Sequence, residues 1–414
     1  MSLQGPMVVV GDEACDLVDE LARAGAFPII ETSWQDAASA IAEIAPAAII
    51  VTGPPPHQKF ALALGRQRSG EPFVPVIEQV RNNAPIPSAL PIAADAPIER
   101  RIARITAALR VRTLHTTVLR RARMLQDQGG AKLTIPMSDP LDDATVMVVG
   151  RGRSYPTLAI AVGERAGLVG ALSIESAARM LKARDIDGIV IADGLGGGVV
   201  EVFLMALAED SRFRDLPVAV FGRGFRVLET EGLPNFERVE GDPLRLIERF
   251  LPLVRLHAFE ARLKRLLKAL DTACAIDPQT CLLTVDAFRR DLARAIADAG
   301  DRGSGLSMAR ISFERSHDRR TSYDAARLVS RLLRRVDFAC RESDGSILAV
   351  FTETDLGAAH VATRRITSEL KQTMLLEPDR PALVPSVTLA TLKPTDHLGS
   401  LMARVMGAPA VAAE

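Results

Sequence analysis

The 414 residues carry 51 Lys plus Arg against 51 Asp plus Glu, and 48% of them are hydrophobic. Balanced charge excludes a global basic field able to hold a nucleic-acid backbone, and no apolar run reaches the ~20 residues that cross a bilayer. Such a length exceeds one ordinary core and predicts two or three domains of about 100 to 150 residues each.

Neither a nucleic-acid partner nor a membrane span is therefore expected. Cys15, Cys274, Cys281 and Cys340 are scattered, with none of the close spacing of a zinc or redox motif. The first residues lack a basic stretch followed by an apolar one. A cytoplasmic protein is the simplest reading.

In chain order, "PMVVVGDE" is a buried strand, "ACDLVDELARAGA" a helix, and "PAAIIVTGPPP" a second apolar strand stopped by a proline turn. "EPFVPVIEQV" and "SALPIAADAP" continue the alternation, and "IERRIARITAALRVRTLHTTVLRRARMLQDQ" closes it as a long helix. Buried strands alternating with helices predict a parallel α/β sheet, here residues 1–127. Residues 128–143 contain Gly and Pro without a sustained period and read as a linker.

The pattern then restarts over 144–255: strands in "ATVMVVGRG", "IDGIVIADG" and "LPVAVFG", helices in "YPTLAIAVGERAG", "ALSIESAARMLKARD" and "VVEVFLMALAED". This is an internal repeat of one α/β unit. "GLGGG", Gly194 to Gly198, follows a strand and precedes a helix, but Val199 occupies the last glycine's place in G-x-G-x-x-G, so a strand-to-helix turn is the better reading than a dinucleotide loop.

Over 256–275, Leu256, Phe259, Leu263, Leu266 and Leu270 recur in steps of three and four, a stripe for helix pairing and a candidate dimer contact. From 276 to 414 the helices "AFRRDLARAIADAG", "DAARLVSRLLRR" and "AAHVATRRITSELKQTM" mix with the strands "LSMARISF", "SILAVF" and "SVTLATL", which predicts an α+β domain. The six histidines show no paired ligand spacing and read as surface or packing residues, and Trp34 as a packing residue at a helix start.

Each front unit resembles a response-regulator receiver domain, which implies a flavodoxin-like doubly wound sheet with a phosphorylatable Asp after the third strand and an acidic pair after the first to hold Mg²⁺. In the first unit Asp12 and Glu13 match part of the pair, but Thr52 and Gly53 stand at the acceptor position. In the second, Asp193 stands at the acceptor position while Gly150 and Arg151 replace the pair. Without carboxylates for Mg²⁺, phosphoryl transfer to Asp193 loses its main electrostatic support. Asp193 stays a possible phosphoacceptor, and both units read as degenerate receivers that dock partners.

The third region, over about 275–407, resembles the GGDEF domain of the diguanylate cyclase family, an α+β fold of nucleotide-cyclase type. Asp277, Thr280, Leu282 and Phe288 of "DPQTCLLTVDAFRRDL" fall in register with the family's opening segment, Arg334-x-x-Asp337 stands five residues before the signature turn, and "SVTLATL" resembles a later strand. The order receiver, receiver, GGDEF resembles PleD-like and PopA-like regulators. A cyclase needs glycines that let backbone approach phosphate and acids that hold two metal ions. Ser343, Asp344, Gly345, Ser346 and Ile347 stand where Gly, Gly, Asp or Glu, Glu and Phe are expected. "MARISFERS" lacks the strand's metal-binding Asp, with Glu314 only a loose substitute, and Thr284 replaces the Asn that would read guanine. No catalytic residue, metal or required cofactor is expected.

The family's inhibitory site for cyclic di-GMP uses the Arg-x-x-Asp and a further Arg on the following helix. The resemblance assigns these roles to Arg334, Asp337 and Arg365. A guanidinium donates two hydrogen bonds to guanine O6 and N7 or pairs with phosphate, and a carboxylate accepts from guanine N–H groups. Position gives the motif its meaning, because Arg-x-x-Asp also occurs at Arg184/Asp187 and Arg212/Asp215. Arg331, one turn before Arg334, adds positive field. The expected function is an inactive GGDEF regulator that senses cyclic di-GMP and signals through homodimerisation and protein partners bound by its receiver-like units. A ligand-free scaffold and a weak residual cyclase are the alternatives.

Overall fold

The computed structural model describes residues 6–11, 16–24, 27–53, 73–80, 86, 89–93, 96–127, 135–136, 141–222, 232–272, 275–302, 305–313, 319–334, 336–374 and 384–407. The chain divides into two compact units, the first made of residues 1–179 and 186–264, the second of residues 265–414 with the short piece 180–185.

Two parallel sheets make up the first unit. Strands β1 (Met7–Val10), β2 (Ile29–Thr32), β3 (Ala48–Val51), β4 (Val76–Val80) and β5 (Leu90–Ala93) lie in the order β2-β1-β3-β4-β5. Helices α1 (Asp16–Arg23), α2 (Ala37–Ile44) and α3 (Ile98–Asp127) accompany them. The apolar runs of β1 and β3 are buried along their whole length, as parallel strands covered on both faces must be. Trp34, 2% exposed just before α2, belongs to this core.

The second sheet repeats the order. Strands β6 (Thr145–Val149), β7 (Gly167–Ala171), β8 (Gly188–Ile191), β9 (Val218–Phe221) and β10 (Phe236–Val239) run β10-β9-β8-β6-β7, with α4 (Tyr155–Gly163), α5 (Ile174–Ala183), α6 (Gly197–Glu209) and α7 (Pro243–Asp271). Both sheets thus have the flavodoxin-like 2-1-3-4-5 arrangement, in which ligands sit beyond the carboxyl ends of the strands. The first-strand core of β6 packs on Leu246, Ile247, Phe250 and Val254 of α7.

Arg104 joins the two sheets. Its guanidinium donates to the carbonyls of Pro91 (2.6 Å), Pro234 (2.9 Å) and Phe236 (2.8 Å) and pairs with the carboxylate of Glu237 at 2.5 Å. Every polar atom of this buried pair is satisfied by a specific partner, the condition under which a buried charge is tolerated.

The leucine stripe lies within α7, which begins well before residue 256. Leu256, Phe259, Leu263, Leu266 and Leu270 are none of them more than 8% exposed. Phe259 meets Phe73 edge-on at 5.3 Å and His115 of α3 at 5.6 Å. The stripe therefore packs inside the chain, and it offers no apolar face for a second copy. His115 is a packing residue too: Nδ1 accepts from the Phe73 N–H and Nε2 lies 3.2 Å from the Pro136 carbonyl. Burial holds its pKa below the ordinary value.

In the second unit an antiparallel sheet runs β12-β13-β11-β14, from β11 (Leu306–Phe313), β12 (Phe338–Arg341), β13 (Ile347–Thr352) and β14 (Pro385–Thr391). Helices α8 (Val285–Arg302), α9 (Arg319–Leu332), α10 (Leu356–Met374) and α11 (Leu398–Met406) cover it. Alternate residues of β11 serve two cores, Ala309 and Ile311 on one face, Leu306 and Met308 on the other. Among the described residues no helix is long and apolar enough to cross a membrane.

Candidate functional site

Arg334 follows the end of α9, and Asp337 immediately precedes β12. The turn between them is closed by the Asp337 N–H donating to the Arg334 carbonyl at 3.1 Å. In return the Asp337 carboxylate accepts the Arg334 N–H at 3.4 Å, and its other oxygen accepts the Thr352 N–H at 3.3 Å from the end of β13. The aspartate is thus fixed by two backbone donors from either side. Its carboxyl is nonetheless pushed above the ordinary carboxylate range, first by burial, against the pull of those N–H groups and of the Arg334 and Arg365 charges.

Arg365, on α10, donates from Nη2 to the Leu332 carbonyl at 2.9 Å, so it caps the C-terminus of α9, where cations are favoured. Among the described residues the Arg334 guanidinium has no hydrogen-bond partner, and the residue is exposed. The fold therefore brings Arg334, Asp337 and Arg365 to one corner, with a single fixed acceptor flanked by two cations. Arg331 does not join it. Its guanidinium pairs with Asp185 at 2.9 Å and donates to the Ala183 carbonyl at 2.6 Å. At the other two Arg-x-x-Asp strings the aspartate or arginine is engaged elsewhere: Asp187 accepts the Thr145 N–H, and Arg212 pairs with Asp210.

The signature turn is the tip of the β12–β13 hairpin. Gly345 adopts φ +85°, a conformation that favours glycine. Asp344 accepts from the Ser346 N–H at 2.9 Å and hydroxyl at 2.6 Å, while its second oxygen takes the Arg310 guanidinium at 2.7 Å. Arg310 also donates to the Ser346 hydroxyl (3.3 Å) and to the Met406 carbonyl (3.3 Å). Burial works to raise the Asp344 carboxyl, but the Ser346 and Arg310 hydrogen bonds outweigh it and hold it below the ordinary range. A guanidinium from β11 thus occupies the space beside the turn. Sequence reading passed over Arg310, although a lone arginine in the apolar run "LSMARISF" signals a cation turned toward a partner.

Thr284 acts as an N-cap, its hydroxyl accepting the Ala287 N–H at 3.4 Å at the start of α8. Asp277 and Thr280 close a local turn through a 2.6 Å hydroxyl-to-carboxylate bond, and Phe288 is fully buried against Phe338. Glu314 lies outside the described residues, as do Asp12 and Glu13. No group of three or more His, Cys, Asp or Glu able to hold a metal occurs among the described residues.

In the second sheet Asp193 lies just beyond the carboxyl end of β8, and its carboxylate is taken up by Ser154 at the head of α4. It accepts the Ser154 N–H at 3.0 Å and the Ser154 hydroxyl. The Ser154 hydroxyl is the main cause that holds its pKa below the usual carboxylate value. Gly194, at φ +84°, brings the next turn so close to Gly152 that a Cβ would sit 2.6 Å from its nitrogen. The glycine run is a strand-to-helix turn that is closely packed at Gly194, while a Cβ at Gly198 would meet open space. In the first sheet Thr52 is buried, and its N–H and hydroxyl both point to the Val10 carbonyl.

Several solved structures are similar to this chain. The coiled coil and GGDEF domain of DgcB from Caulobacter crescentus, in complex with c-di-GMP, is 21% identical over 37% of this chain and 89% of that one, with a TM-score of 0.31. The FimX GGDEF domain from Pseudomonas aeruginosa is 18% identical over 32% and 90%, TM-score 0.30. The diguanylate cyclase SiaD in complex with its activator SiaC, also from Pseudomonas aeruginosa, is 18% identical over 40% and 69%, TM-score 0.28. No protein-family model and no curated protein matches the chain.

Proposed function

We propose that the protein is a catalytically inactive GGDEF-type regulator that binds cyclic di-GMP at the corner formed by Arg334, Asp337 and Arg365. The observation that carries this is the state of Asp337: a part-buried carboxylate aligned by the Thr352 and Arg334 N–H groups, with two exposed guanidinium-bearing residues beside it. A guanine offers N–H donors to such a carboxylate and O6 and N7 to a guanidinium, so one base satisfies both. Arg334 brings donors that no described residue engages, and Arg365 adds charge from a position already fixed by the Leu332 carbonyl.

Inactivity as a cyclase is supported by the hairpin tip. Gly345 and Ser346 stand where the family would place acids for metal, Ser346 is 2% exposed, and Asp344, at a glycine position, is tied to Ser346 and Arg310. A guanidinium beside the turn repels a divalent cation, and loss of metal and of transition-state donors costs orders of magnitude in rate. In the same reading the two flavodoxin-like sheets are receiver-like units that no longer exchange phosphate. Asp193 caps α4 instead of facing an acidic pair, and the units serve to bind protein partners and a second copy.

Titrating cyclic di-GMP into the full chain by calorimetry tests the site. Arg334→Ala is expected to weaken binding about 100-fold, the ~3 kcal/mol of two hydrogen bonds involving a charged group. Binding as tight in both Arg334→Ala and Arg365→Ala as in the wild type overturns the assignment.

A further inference from the structure

Helix α6 buries Val200, Phe203, Leu204 and Leu207, while Val199, Val202 and Met205 are 50%, 61% and 52% exposed. At about 100° of turn per residue, these three share with the exposed Gly198, Ala206 and Glu209 about 120° of arc centred on Val202. Single exposed apolar side chains are ordinary, but three on one helix face form a contiguous patch. Two features of this face are unexplained within one copy. Gly198 does not adopt a positive φ, and a Cβ there would meet no atom within 4 Å. Glycine is a poor helix former, so what it provides at this position is room for a backbone from outside. Glu209 is the last residue of α6, where an acid is disfavoured, and no described residue pairs with it. Nearby, Arg212 is engaged by Asp210, and Arg214 donates to the Ala208 carbonyl at 3.2 Å. The other end of the helix has the opposite lack: its N-cap is Gly196, without a side-chain cap, and its first turn holds no acid. The exposed Arg151 adds positive charge there by donating to the Gly194 carbonyl at 3.4 Å, and the Asp193 carboxylate is taken up by Ser154.

We propose that the α6 faces of two copies of this chain pair antiparallel about a two-fold axis at Val202. The proposal rests on the reading that the repeated sheets bind a second copy, and it names the surface. An axis at Val202 sets that residue against itself, Val199 against Met205 and Gly198 against Ala206. It also sets Glu209 against residue 195, beside the Gly196 N-cap. The Gly198 and Ala206 pair lets the two backbones approach at either end of the crossing. Each Glu209 then lies at the positive helix end of the other copy, where a carboxylate is favoured. Such a face is complementary to itself, which an interface between identical subunits requires. One helix pair buries less than about 1,200 Å², the size of weak and transient interfaces, so the dimer depends on concentration.

Sedimentation equilibrium of the full chain, from about 1 μM to about 1 mM, is expected to show a monomer–dimer equilibrium. Val202→Asp brings two carboxylates together on the axis and is expected to weaken the dimer about 100-fold, with an unchanged denaturation midpoint. Val202→Cys is expected to be joined to a second copy by a short thiol-to-thiol crosslinker, above the background of the wild type and of Ile160→Cys. Ile160 is 64% exposed on α4, off the proposed face. The crosslink decides alone if Val202→Asp fails to fold. A dimer as tight in Val202→Asp as in the wild type, or no more crosslinking of Val202→Cys than of Ile160→Cys, overturns the proposal. In either case a wild-type dimer leaves the second-copy reading standing on another surface. A wild type that is monomeric throughout overturns both, even where α6 captures some other protein.

Discussion

Arg310 shows how one side chain redirects a whole site. It stands on β11 opposite Leu348 in the sheet register and reaches back to the hairpin tip, where it holds Asp344 and Ser346 together. Its charge fills the role that a bound cation plays in a metal site, without the Lewis acidity. Restoring the turn alone, with Ser343→Gly, Asp344→Gly, Gly345→Asp and Ser346→Glu, is therefore expected to yield no cyclic di-GMP from GTP and Mg²⁺. Adding Arg310→Asp to those four changes is the combination expected to recover metal binding. Product formation by the four-residue variant, read by chromatography, contradicts this role for Arg310. At this scale the Arg334 to Asp337 spacing was legible because a turn of fixed length sets it. The fate of Arg331, bonded to Asp185 and Ala183, was not, because its partners are about 146 residues away along the chain.

Among the elements, α7 best separates local pattern from tertiary context. Steps of three and four announce an amphipathic stripe, but not what covers it. The cover here is the chain's own core, with Phe259 against His115 and Phe73. Leu263→Ala, at a fully buried position, is expected to cost about 2–5 kcal/mol of stability. The loss is read as a lower denaturation midpoint with an unchanged elution volume; dissociation of a dimer without loss of stability contradicts the packing. The strands that sequence concealed, β2, β7, β10 and β12, all lie at sheet edges. Edge strands are short and shielded on one side only, so "IIET", "GLVGA", "FERV" and "FACR" mix charge or glycine with apolar residues. Central strands such as β1, β3 and β8, buried at every position, were plain from their apolar runs.

For the whole molecule, repetition was visible in the sequence as two successive α/β patterns, and the two sheets share one strand order. What repetition does not convey is that both sheets fall in one compact unit, joined by Arg104 and Glu237 across 133 residues of sequence. The division of labour proposed here puts nucleotide sensing at Arg334, Asp337 and Arg365, with the repeated sheets as the partner-binding portion. Ligand changes the activity of such a protein only by differential affinity for its conformations. The most direct measurement is a crystal structure of the full chain grown with cyclic di-GMP. It is expected to show a guanine edge hydrogen-bonded to the Asp337 carboxylate and the Arg334 guanidinium, with Arg365 within reach of base or phosphate. Nucleotide bound elsewhere, with Asp337 still held only by the Thr352 and Arg334 N–H groups, contradicts the proposal.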